Sequence, residues 1–598
     1  MLFGKYVNKY YLKYWFFFLI GVAALVVVDV AQTYIPRFLG QIVNDNAILA
    51  DNLDDLGSII LKVMLCALIM FVGRCVWRLS IFRASGGIEA NLRHEMFLKA
   101  ERMSTSYYHE TKVGNVLNWF TSDVEEIGEF YGWGTVMMVD AIFMSIITII
   151  SMIRVNLWMT LIAGIPILLI AVWGALVEKF MSLRWEYRQK AADKLYDFSQ
   201  ENFTGIRVIK AFVKETQEIH AFAKIAKNNR DINVRFARIS VIFDIIIELI
   251  LIVEMAFVLG FGGWFVYCAA SGTPIEVFGQ LIKIKIGDLM EFVGYIDLLV
   301  WPMIALGQVV TMRSRAKGSL RRITNFLDTP EDIKNPENAV VLQNIKGEIA
   351  FKDFSFAYPG NTQDSLKHIS LTIRPGETIG VVGKIGSGKT TFANALLRLY
   401  NIEPNAIQID GVDLMRCDLT SLRDQIAYAP QDNFLFSDKI ENNIAFSSED
   451  VDDDKVVAAA MFADVNDDIA GFTNQYETVS GERGVTLSGG QKQRISIARA
   501  YYKHAPIMIL DDTVSAVDVK TEETILHNIA SKRKGLTTIV IASRVSTVMK
   551  MDKILVLDQG EVVGFDSHEN LMKTSELYQK MVYLQELERE VERGDHRE

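Results

Sequence analysis

The chain has 598 residues, carries 62 Lys and Arg against 72 Asp and Glu, and has a formal net charge of −10. Hydrophobic residues make up 50% of it, and its mean hydropathy of +0.19 is high for a wholly soluble protein. So much apolar sequence excludes a disordered protein, and the acidic balance argues against nucleic-acid binding, which uses a basic surface. The four cysteines lack C-x-x-C spacing, which disfavours a disulfide framework or a zinc site.

The N-terminal part contains six apolar segments that approach the roughly 20 residues needed to cross a bilayer. These predicted spans are residues 15–39, 58–82, 132–153, 157–180, 243–269 and 286–311, within a predicted membrane domain of residues 1–325. The first apolar run continues to Val28 without a small-residue cleavage site, so we interpret it as a membrane helix and not as a signal peptide. Lys and Arg are absent from 41–57 but frequent in 83–130 and 181–242, which predicts that the basic segments and the N-terminus are cytoplasmic.

The two basic segments are predicted to be helical, because they lack proline and have regularly spaced apolar residues. Long loops without secondary structure are uncommon, so cytoplasmic extensions of membrane helices explain these segments better. Residues 326–343 include Pro330 and Pro336 among polar turn residues and form the predicted linker. Beyond it, residues 344–587 alternate short apolar strands with helices, the βαβ pattern of an α/β domain with a parallel sheet, and a charged tail follows at 588–598.

A complete phosphate-binding loop follows the predicted strand at 379–382. It comprises Gly383, Lys384, Ile385, Gly386, Ser387, Gly388, Lys389 and Thr390, and a predicted helix continues from Thr391. The glycines let backbone N–H groups surround phosphate oxygens, Lys389 adds a positive charge, and Thr390 offers a hydroxyl to Mg²⁺. An ordinary glycine-rich turn is the alternative, but the strand, the full motif and the helix agree on a P-loop.

Two further motifs indicate nucleotide binding. The predicted buried strand 507–510 is followed by Asp511, a position at which a carboxylate can hold Mg²⁺ through water. A second group directly precedes a predicted helix, whose free N–H groups bind anions, and consists of Ser488, Gly489, Gly490 and Gln491. That group is a weak signal alone, but the three motifs together predict a nucleotide-binding domain.

The three motifs resemble those of the ATP-binding-cassette family, and the whole chain resembles an exporter-type half-transporter, in which six membrane helices are fused to one nucleotide-binding domain. The resemblance implies ATP and Mg²⁺ as cofactors, and ATP hydrolysis coupled to transmembrane transport. It also implies that Tyr358 stacks on adenine, and that Gln431 contacts Mg²⁺ and senses the membrane domain.

The same resemblance implies roles for further segments. Glu482 would contact the cytoplasmic helix extensions, and residues 515–518 would cross between two cassettes. Short coupling helices are expected near 108–116, docking on the same chain's cassette, and near 205–213, docking on the partner's. The plain alternatives are that Tyr358 is a core residue and that Glu482 is a surface charge.

Two residues depart from the family pattern. The family has a Glu after Asp511 to polarise the attacking water, and this chain has Asp512; where the family has a switch His, this chain has Ser543. A general base must lie about 2.6–3.2 Å from the water. Because Asp is one methylene shorter than Glu, its carboxylate should fall short by roughly an ångström, and such a displacement can lower a rate on the order of 10²-fold. We therefore expect this chain to hold ATP and to hydrolyse it slowly.

The phosphate loop and the signature motif, Leu487–Gln491, are both intact and predict how the chain pairs. In this family each ATP lies between the phosphate loop of one cassette and the signature of the other. This chain would therefore contribute a weak site of its own and a good signature to a second site, which a non-identical partner with Glu and His would complete. The expected assembly is a heterodimeric exporter. A homodimer that tolerates both changes and a regulatory ATP-gated subunit that does not pump are the alternatives.

The membrane half contains acids at predicted bilayer depth, where a charge is costly and usually faces a cavity or a partner. They are Asp29, Asp140, Glu248, Glu254, Glu291 and Asp297. Nearby aromatic residues such as Phe257, Phe261 and Trp264 would make an acidic cavity favourable for lipophilic cations. The acids could equally form internal ion pairs. Multidrug efflux across a bacterial plasma membrane is the expected function, and homodimeric lipid or peptide export is the alternative.

Overall fold

The computed structural model describes residues 4–44, 53–272, 275–277, 280–281, 284–481, 484–515 and 517–595. Glu482 and Ala516, to which the resemblance assigns roles, lie outside the described residues, as do much of the acidic segment 41–57 and the end of the predicted tail. The chain divides into two compact units. The first comprises Met1–Glu101 and Val113–Thr329, and the second comprises Arg102–Lys112 and Pro330–Glu598.

The N-terminal half is built from long helices. In chain order the elements are α1 (Asn8–Asn44), α2 (Leu53–Arg102), α3 (Thr105–Glu110), α4 (Val113–Val155), α5 (Leu157–Thr204), α6 (Ile206–Ala211), α7 (Glu215–Ala270), β1 (Glu276–Val277), β2 (Gln280–Leu281) and α8 (Ile286–Asp328). Each predicted span lies inside one of these helices. Among the described residues, four helices are long and apolar enough to cross a membrane by length and composition, namely α1, Leu56–Arg102 of α2, α4 and α8. The predicted spans in α5 and α7 stay predictions.

An ion pair between a buried carboxylate of α4 and a half-exposed arginine of α8 links these two helices in the first unit. Helix α4 is interrupted by π-helical turns, and Asp123 lies at the end of the first of them, Trp119–Asp123. Its carboxylate accepts hydrogen bonds from Arg322 Nε at 2.7 Å and Nη2 at 2.5 Å, and from Ser319 Oγ at 3.0 Å. Asp123 is 2% exposed, so these donors replace the water that the carboxylate loses on folding.

The short helix α3 belongs to the second unit. The sequence predicted a helix near 108–116, whereas α3 begins earlier, because Ser104 accepts a hydrogen bond from the backbone N–H of Tyr107 and caps the helix N-terminus. Two side chains also donate to the body of the unit: Ser104 Oγ to Asp332 Oδ2 at 3.0 Å, and Thr105 Oγ1 to the carbonyl oxygen of Leu399 at 3.3 Å. The other expected short helix, near 205–213, corresponds to α6, and its docking on a partner stays a prediction.

The body of the second unit is an α/β domain, as the sequence predicted. Its strands are β3 (Ile349–Phe356), β4 (Leu366–Ile373), β5 (Thr378–Gly383), β6 (Ile407–Ile409), β7 (Val412–Asp413), β8 (Ile426–Ala429), β9 (Ile507–Asp511), β10 (Thr537–Ile541), β11 (Lys553–Asp558) and β12 (Glu561–Asp566). Its helices are α9 (Lys389–Leu396), α10 (Leu419–Asp424), α11 (Ile440–Ile444), α12 (Asp453–Phe462), α13 (Asn466–Ala470), α14 (Gly489–Tyr502), α15 (Val519–Lys532), α16 (Val545–Val548), α17 (His568–Thr574) and α18 (Glu576–Asp595).

Two sheets form this domain. A six-stranded sheet has the order β12-β11-β5-β10-β9-β8, and only its edge strand β12 is antiparallel to its neighbour; a four-stranded antiparallel sheet has the order β4-β3-β6-β7. Every residue of β9 and β10 is buried, as expected for strands covered on both faces. Because β5, β10 and β9 are adjacent and parallel, the segments that follow them meet at one edge.

The ion pair between Asp123 of α4 and Arg322 of α8 makes the first testable prediction. Asp123→Ala leaves Ser319 and Arg322 without their acceptor, so we expect the free energy of unfolding to fall by about 1–3 kcal/mol. The matched control is Glu126→Ala, because Glu126 also pairs with an arginine of α8, Arg315 at 3.0 Å, but at a more exposed position. We expect the control to change stability by less than about 0.5 kcal/mol. Denaturant titration of the detergent-solubilised full chain measures both effects, and equal losses would contradict the importance of burial.

Candidate functional site

A cleft of about 880 Å³ opens at the edge of the parallel sheet where β5 and β9 end. Most of the predicted nucleotide-site residues line it, namely Tyr358, Ile385, Gly386, Gly388, Lys389, Thr390, Thr391, Gln431, Asp511, Asp512 and Ser543. They come from separate stretches of sequence, and the sheet order brings them together. The volume lies within the range of small-molecule sites in proteins, about 300–1,000 Å³.

The phosphate loop connects the end of β5 at Gly383 to the start of α9 at Lys389. Gly388, at the N-cap of α9, has φ of 98°, and a Cβ there would lie 2.8 Å from the carbonyl oxygen of Ser365, so only glycine fits. Lys389 Nζ donates to the carbonyl oxygens of Gly383 at 2.8 Å and Lys384 at 3.0 Å. The ammonium group is therefore held across the loop, beside the free N–H groups of the helix N-terminus, where phosphate binds in such loops.

The pKa of Lys389 depends on the burial of its ammonium group and on two nearby carboxylates. Burial lowers the pKa of Lys389, and the nearby carboxylates of Asp512 and Asp511 raise it again. Two other residues of the predicted loop lie at its outer surface. The side chain of Ile385 is exposed, and Lys384 Nζ lies 3.9 Å from Asp558 Oδ1. Ser387 is buried, and its Oγ has no partner among the described residues.

Asp511 ends β9 and is 1% exposed. Its carboxylate accepts hydrogen bonds from Thr390 Oγ1 at 3.4 Å and from the Tyr428 hydroxyl at 3.3 Å. Burial raises the pKa of Asp511, and the Thr390 and Tyr428 hydroxyls partly lower it. Mg²⁺ prefers oxygen ligands, so the side chains of Thr390 and Asp511 fit a magnesium ion. The exposed Gln431 side chain lines the same cleft.

Tyr428 is a site residue that no sequence motif predicted. It lies on β8, and its partner in the parallel ladder is Ile509 on β9, two residues before Asp511. Its hydroxyl therefore reaches the Asp511 carboxylate, and burial together with Asp511 raises the pKa of Tyr428. No local motif signals this contact, because it depends on the order of strands in the sheet.

Tyr358 lies at the rim of the cleft. Its hydroxyl shares a hydrogen bond of 2.9 Å with Thr391 Oγ1. Its ring contacts Phe356 and Tyr400 edge to face, with centroids 5.1 Å apart in each case. This support fixes an aromatic ring beside the phosphate loop, where it can stack on a base.

The two residues that depart from the family pattern contact each other. Ser543 Oγ lies 2.8 Å from both carboxylate oxygens of Asp512, and the backbone N–H of Ser543 donates to Oδ1 at 3.3 Å. Ser515 Oγ donates to the same Oδ1 at 2.9 Å. Asp512 has φ of 49°, a left-handed conformation that short polar side chains tolerate better than longer ones. Its carboxylate is thus held by donors from its own chain.

The signature residues lie elsewhere in the domain. Ser488 Oγ accepts from the backbone N–H of Gln491 at 3.2 Å, and Gln491 Oε1 accepts from the backbone N–H of Ser488 at 3.0 Å, so the two side chains form a capping box at the start of α14. A Cβ added at Gly489 or Gly490 would meet nothing within 4 Å. None of these four residues lines the cleft described above.

The six acids predicted at bilayer depth have different surroundings. The side chains of Glu248 and Asp297 are exposed. Asp140 Oδ2 accepts a hydrogen bond from Trp301 Nε1 at 3.1 Å, and Glu291 Oε1 accepts one from the Tyr295 hydroxyl at 2.7 Å. Two are buried: Asp29, with one unpartnered oxygen, and Glu254, with two, among the described residues.

The aromatic residues predicted to share a cavity with those acids form a separate surface. Phe257, Phe261 and Trp264 line a shallow, apolar depression on α7. Within the part of the chain that the structure describes, none of the six acids lines this depression. Among the described residues, these aromatic side chains and the acids therefore lie in different places, and an acidic substrate cavity stays a prediction.

The fold and the cleft define a P-loop nucleotide-binding domain fused to a helical membrane domain. Family models match both parts: "ABC transporter transmembrane region" at residues 18–271 and "ABC transporter" at residues 366–515. The chain belongs to the ABC transporter family, is an ABC exporter, and couples ATP hydrolysis to transport.

Similar proteins span nearly the whole chain. It is 32% identical to the probable multidrug resistance ABC transporter ATP-binding/permease protein YheI of Bacillus subtilis, over 98% of this chain and 97% of that protein. It is 31% identical to the ATP-dependent lipid A-core flippase of Syntrophus aciditrophicus, over 93% and 90%. The structure resembles that of a bacterial Atm1-family ABC exporter with ATP bound, with a TM-score of 0.76, 25% identity, and coverage of 97% of this chain and 99% of that one.

Lys389 is expected to dominate phosphate binding. Lys389→Ala removes the ammonium group that lies across the loop, so affinity for a fluorescent ATP analogue should fall about tenfold or more. Lys384→Ala is the matched control, because Lys384 belongs to the same loop but does not line the cleft. We expect the control to bind within about twofold of the natural chain. Equal affinities in the two variants, measured by equilibrium titration, would contradict this role.

Tyr428 is expected to set the pH dependence of Mg²⁺-supported nucleotide binding. Asp511 must be ionised to hold Mg²⁺, and its raised pKa means that binding is lost on acidification at a higher pH than for an ordinary Asp. Tyr428→Phe removes a hydrogen-bond donor to the ionised Asp511 carboxylate, so the pKa of Asp511 should rise further. The pH at which binding is lost on acidification should therefore increase. Tyr358→Phe is the control. The hydroxyl that it removes contacts only Thr391 among the described polar groups, so the pH at which binding is lost should stay the same. Mg²⁺-dependent nucleotide binding measured as a function of pH tests this role of Tyr428. Loss of binding at the same pH in Tyr428→Phe as in the natural chain would contradict it.

Proposed function

We propose that this protein is one subunit of a heterodimeric exporter of lipophilic, cationic compounds, and that the ATP site formed by its own phosphate loop hydrolyses slowly. The observation that carries the proposal is the contact of Asp512 with Ser543 and Ser515 beside an intact phosphate loop. The site keeps the residues that bind ATP and Mg²⁺ and has altered the two that promote hydrolysis.

Two physical effects slow hydrolysis at this site. Asp512 is shorter than the Glu of the family, and its carboxylate oxygens already accept hydrogen bonds from the two serines. Carboxylate oxygens that already accept these hydrogen bonds are less available to accept one from the attacking water. Ser543 also lacks an imidazole, and its hydroxyl is directed to Asp512. A nucleotide in the cleft is consequently retained longer than it would be beside Glu and His.

We infer a non-identical partner because this chain retains intact signature residues. The capping box of Ser488 and Gln491 keeps the N-terminus of α14 ordered and presents Gly489 and Gly490 to the outside. That end supports phosphate binding in a second cassette. A partner that supplies Glu and His opposite this signature forms the fast site, and closure of the two cassettes around ATP drives the membrane domains between states.

The substrate class rests on relatives and on the membrane acids. YheI, and the multidrug resistance-like ATP-binding protein MdlA of Escherichia coli, which is 31% identical over 97% of this chain, carry multidrug resistance in their names. Buried acids such as Asp29 and Glu254 favour positively charged compounds. The protein acts in a bacterial plasma membrane, with the cassette and N-terminus on the cytoplasmic side, where the basic segments predict them to be.

A homodimeric lipid exporter is the second candidate, and the similarity to a lipid A-core flippase favours it. The two candidates differ in what the chain does alone, because a homodimer would have to hydrolyse ATP at sites built only from Asp512 and Ser543. A regulatory subunit is a third candidate; it predicts that movement of a cationic dye into inside-out vesicles is unaffected by Lys389→Ala.

Repair of the weak site tests the proposal. The double variant Asp512→Glu with Ser543→His combines a longer base and an imidazole with the chain's own phosphate loop and signature, so two copies can form complete sites. We expect ATP turnover of the purified chain to rise by about tenfold to 10²-fold. Asp512→Glu alone should gain less, because position 543 still lacks an imidazole.

The control is the same double variant with Lys389→Ala, which should show only background turnover because phosphate binding is lost. An unchanged rate in the double variant would mean that geometry elsewhere limits hydrolysis and would overturn the proposed cause. Phosphate release in a reconstituted vesicle assay measures all three variants under one condition.

A further inference from the structure

The first unit contains a cleft that could hold a drug-sized molecule. It lies between α4, α5, α7 and α8, has a volume of about 650 Å³, and is lined mainly by apolar side chains. Trp133 of α4 and Trp301 of α8 both line it and are partly exposed, at 40% and 46%. Large aromatic side chains that stay accessible provide much of the contact surface in small-molecule sites.

A small recess adjoins this cleft between α7 and α8. It has a volume of about 20 Å³, and Ile247, Met303 and Ile304 line both the recess and the cleft. A volume of this size holds one group about as large as a water molecule. Glu254 is the only polar residue lining the recess among the described residues, since its other walls are aliphatic and Met side chains.

The carboxyl group of Glu254 is unusual for its burial. The residue is 1% exposed, and neither side-chain oxygen has a hydrogen-bond partner among the described residues. A buried carboxylate in apolar surroundings is costly unless donors reach it. The other predicted acids differ. Asp140 and Glu291 each accept a hydrogen bond at one oxygen, although Asp140 Oδ1 has no partner among the described residues. Glu248 and Asp297 are exposed, and Asp29 lines neither cavity.

We propose that Glu254 binds the ammonium group of a lipophilic amine, whose apolar part lies in the adjoining cleft beside Trp133 and Trp301. An ammonium group that carries N–H bonds is close to a water molecule in size and donates to carboxylate oxygens. A quaternary ammonium is larger and has no N–H to donate. The inference deepens the proposed function and rests on it, by narrowing lipophilic cations to amines with N–H donors.

Binding to the full chain tests the proposal directly. The chain is placed in phosphatidylcholine nanodiscs and titrated calorimetrically with octylamine or octyltrimethylammonium, and the signal of protein-free nanodiscs is subtracted. We expect octylamine to bind about tenfold more tightly than its trimethyl counterpart. Glu254→Gln, which keeps the shape of the side chain, should abolish that preference. Glu248→Gln on the same helix should retain it, because Glu248 is exposed.

The same ammonium chemistry occurs in a lipid headgroup. Nanodiscs that contain phosphatidylethanolamine should compete with octylamine in a Glu254-dependent manner if the headgroup is the natural source, and should not compete if free amines are; either result supports the ammonium site. Equal affinities for octylamine and its trimethyl counterpart, or a preference that survives Glu254→Gln, would overturn it. Binding of an ATP analogue checks that the variant is folded.

Failure of this inference and failure of the proposed function are separable. If octylamine binds at Glu254 but ATP drives no movement of any lipophilic compound into vesicles, the amine site stands and the export proposal fails. If neutral and cationic compounds are both transported and Glu254→Gln changes neither, export stands and the amine site is overturned.

Discussion

The hydrogen bonds between Asp512, Ser543 and Ser515 are the interaction on which the proposed behaviour of the nucleotide site depends. They exist because β5, β10 and β9 are adjacent and parallel, so the segments that follow β9 and β10 meet beside the phosphate loop. The carboxylate oxygens of Asp512 accept hydrogen bonds from hydroxyl groups of the same chain. On the proposed function, this contact is what makes the site bind ATP but hydrolyse it slowly.

Much of the nucleotide site was predictable because its parts are contiguous in sequence. The strand, glycine-rich loop and helix around Lys389 occur in one stretch, and the local rules for phosphate loops suffice. The contacts of Tyr428 with Asp511 and of Ser543 with Asp512 were not predictable. Each joins residues that lie on, or just after, different strands. Sheet order is a property of the folded domain, and no spacing in the sequence encodes it.

In the membrane domain, too, local structure was predictable from the sequence and contacts between distant residues were not. Apolar length predicted where the long helices lie, since a helix rises 1.5 Å per residue and the bilayer thickness sets a minimum span. The direction in which each acid points was not predictable, because it depends on helix rotation and on the π-helical turns of α4. Of six acids with similar sequence surroundings, Glu254 is buried without a partner among the described residues and Glu248, on the same helix, is exposed.

ATP turnover of the purified natural chain, measured without any other subunit, tests the proposed slow hydrolysis most directly. Nucleotide should bind with Mg²⁺ through Lys389 and Asp511, while phosphate release stays near background until a second subunit with Glu and His is added. Turnover by the chain alone at the rate of a complete exporter would contradict the proposed role of Asp512 and Ser543.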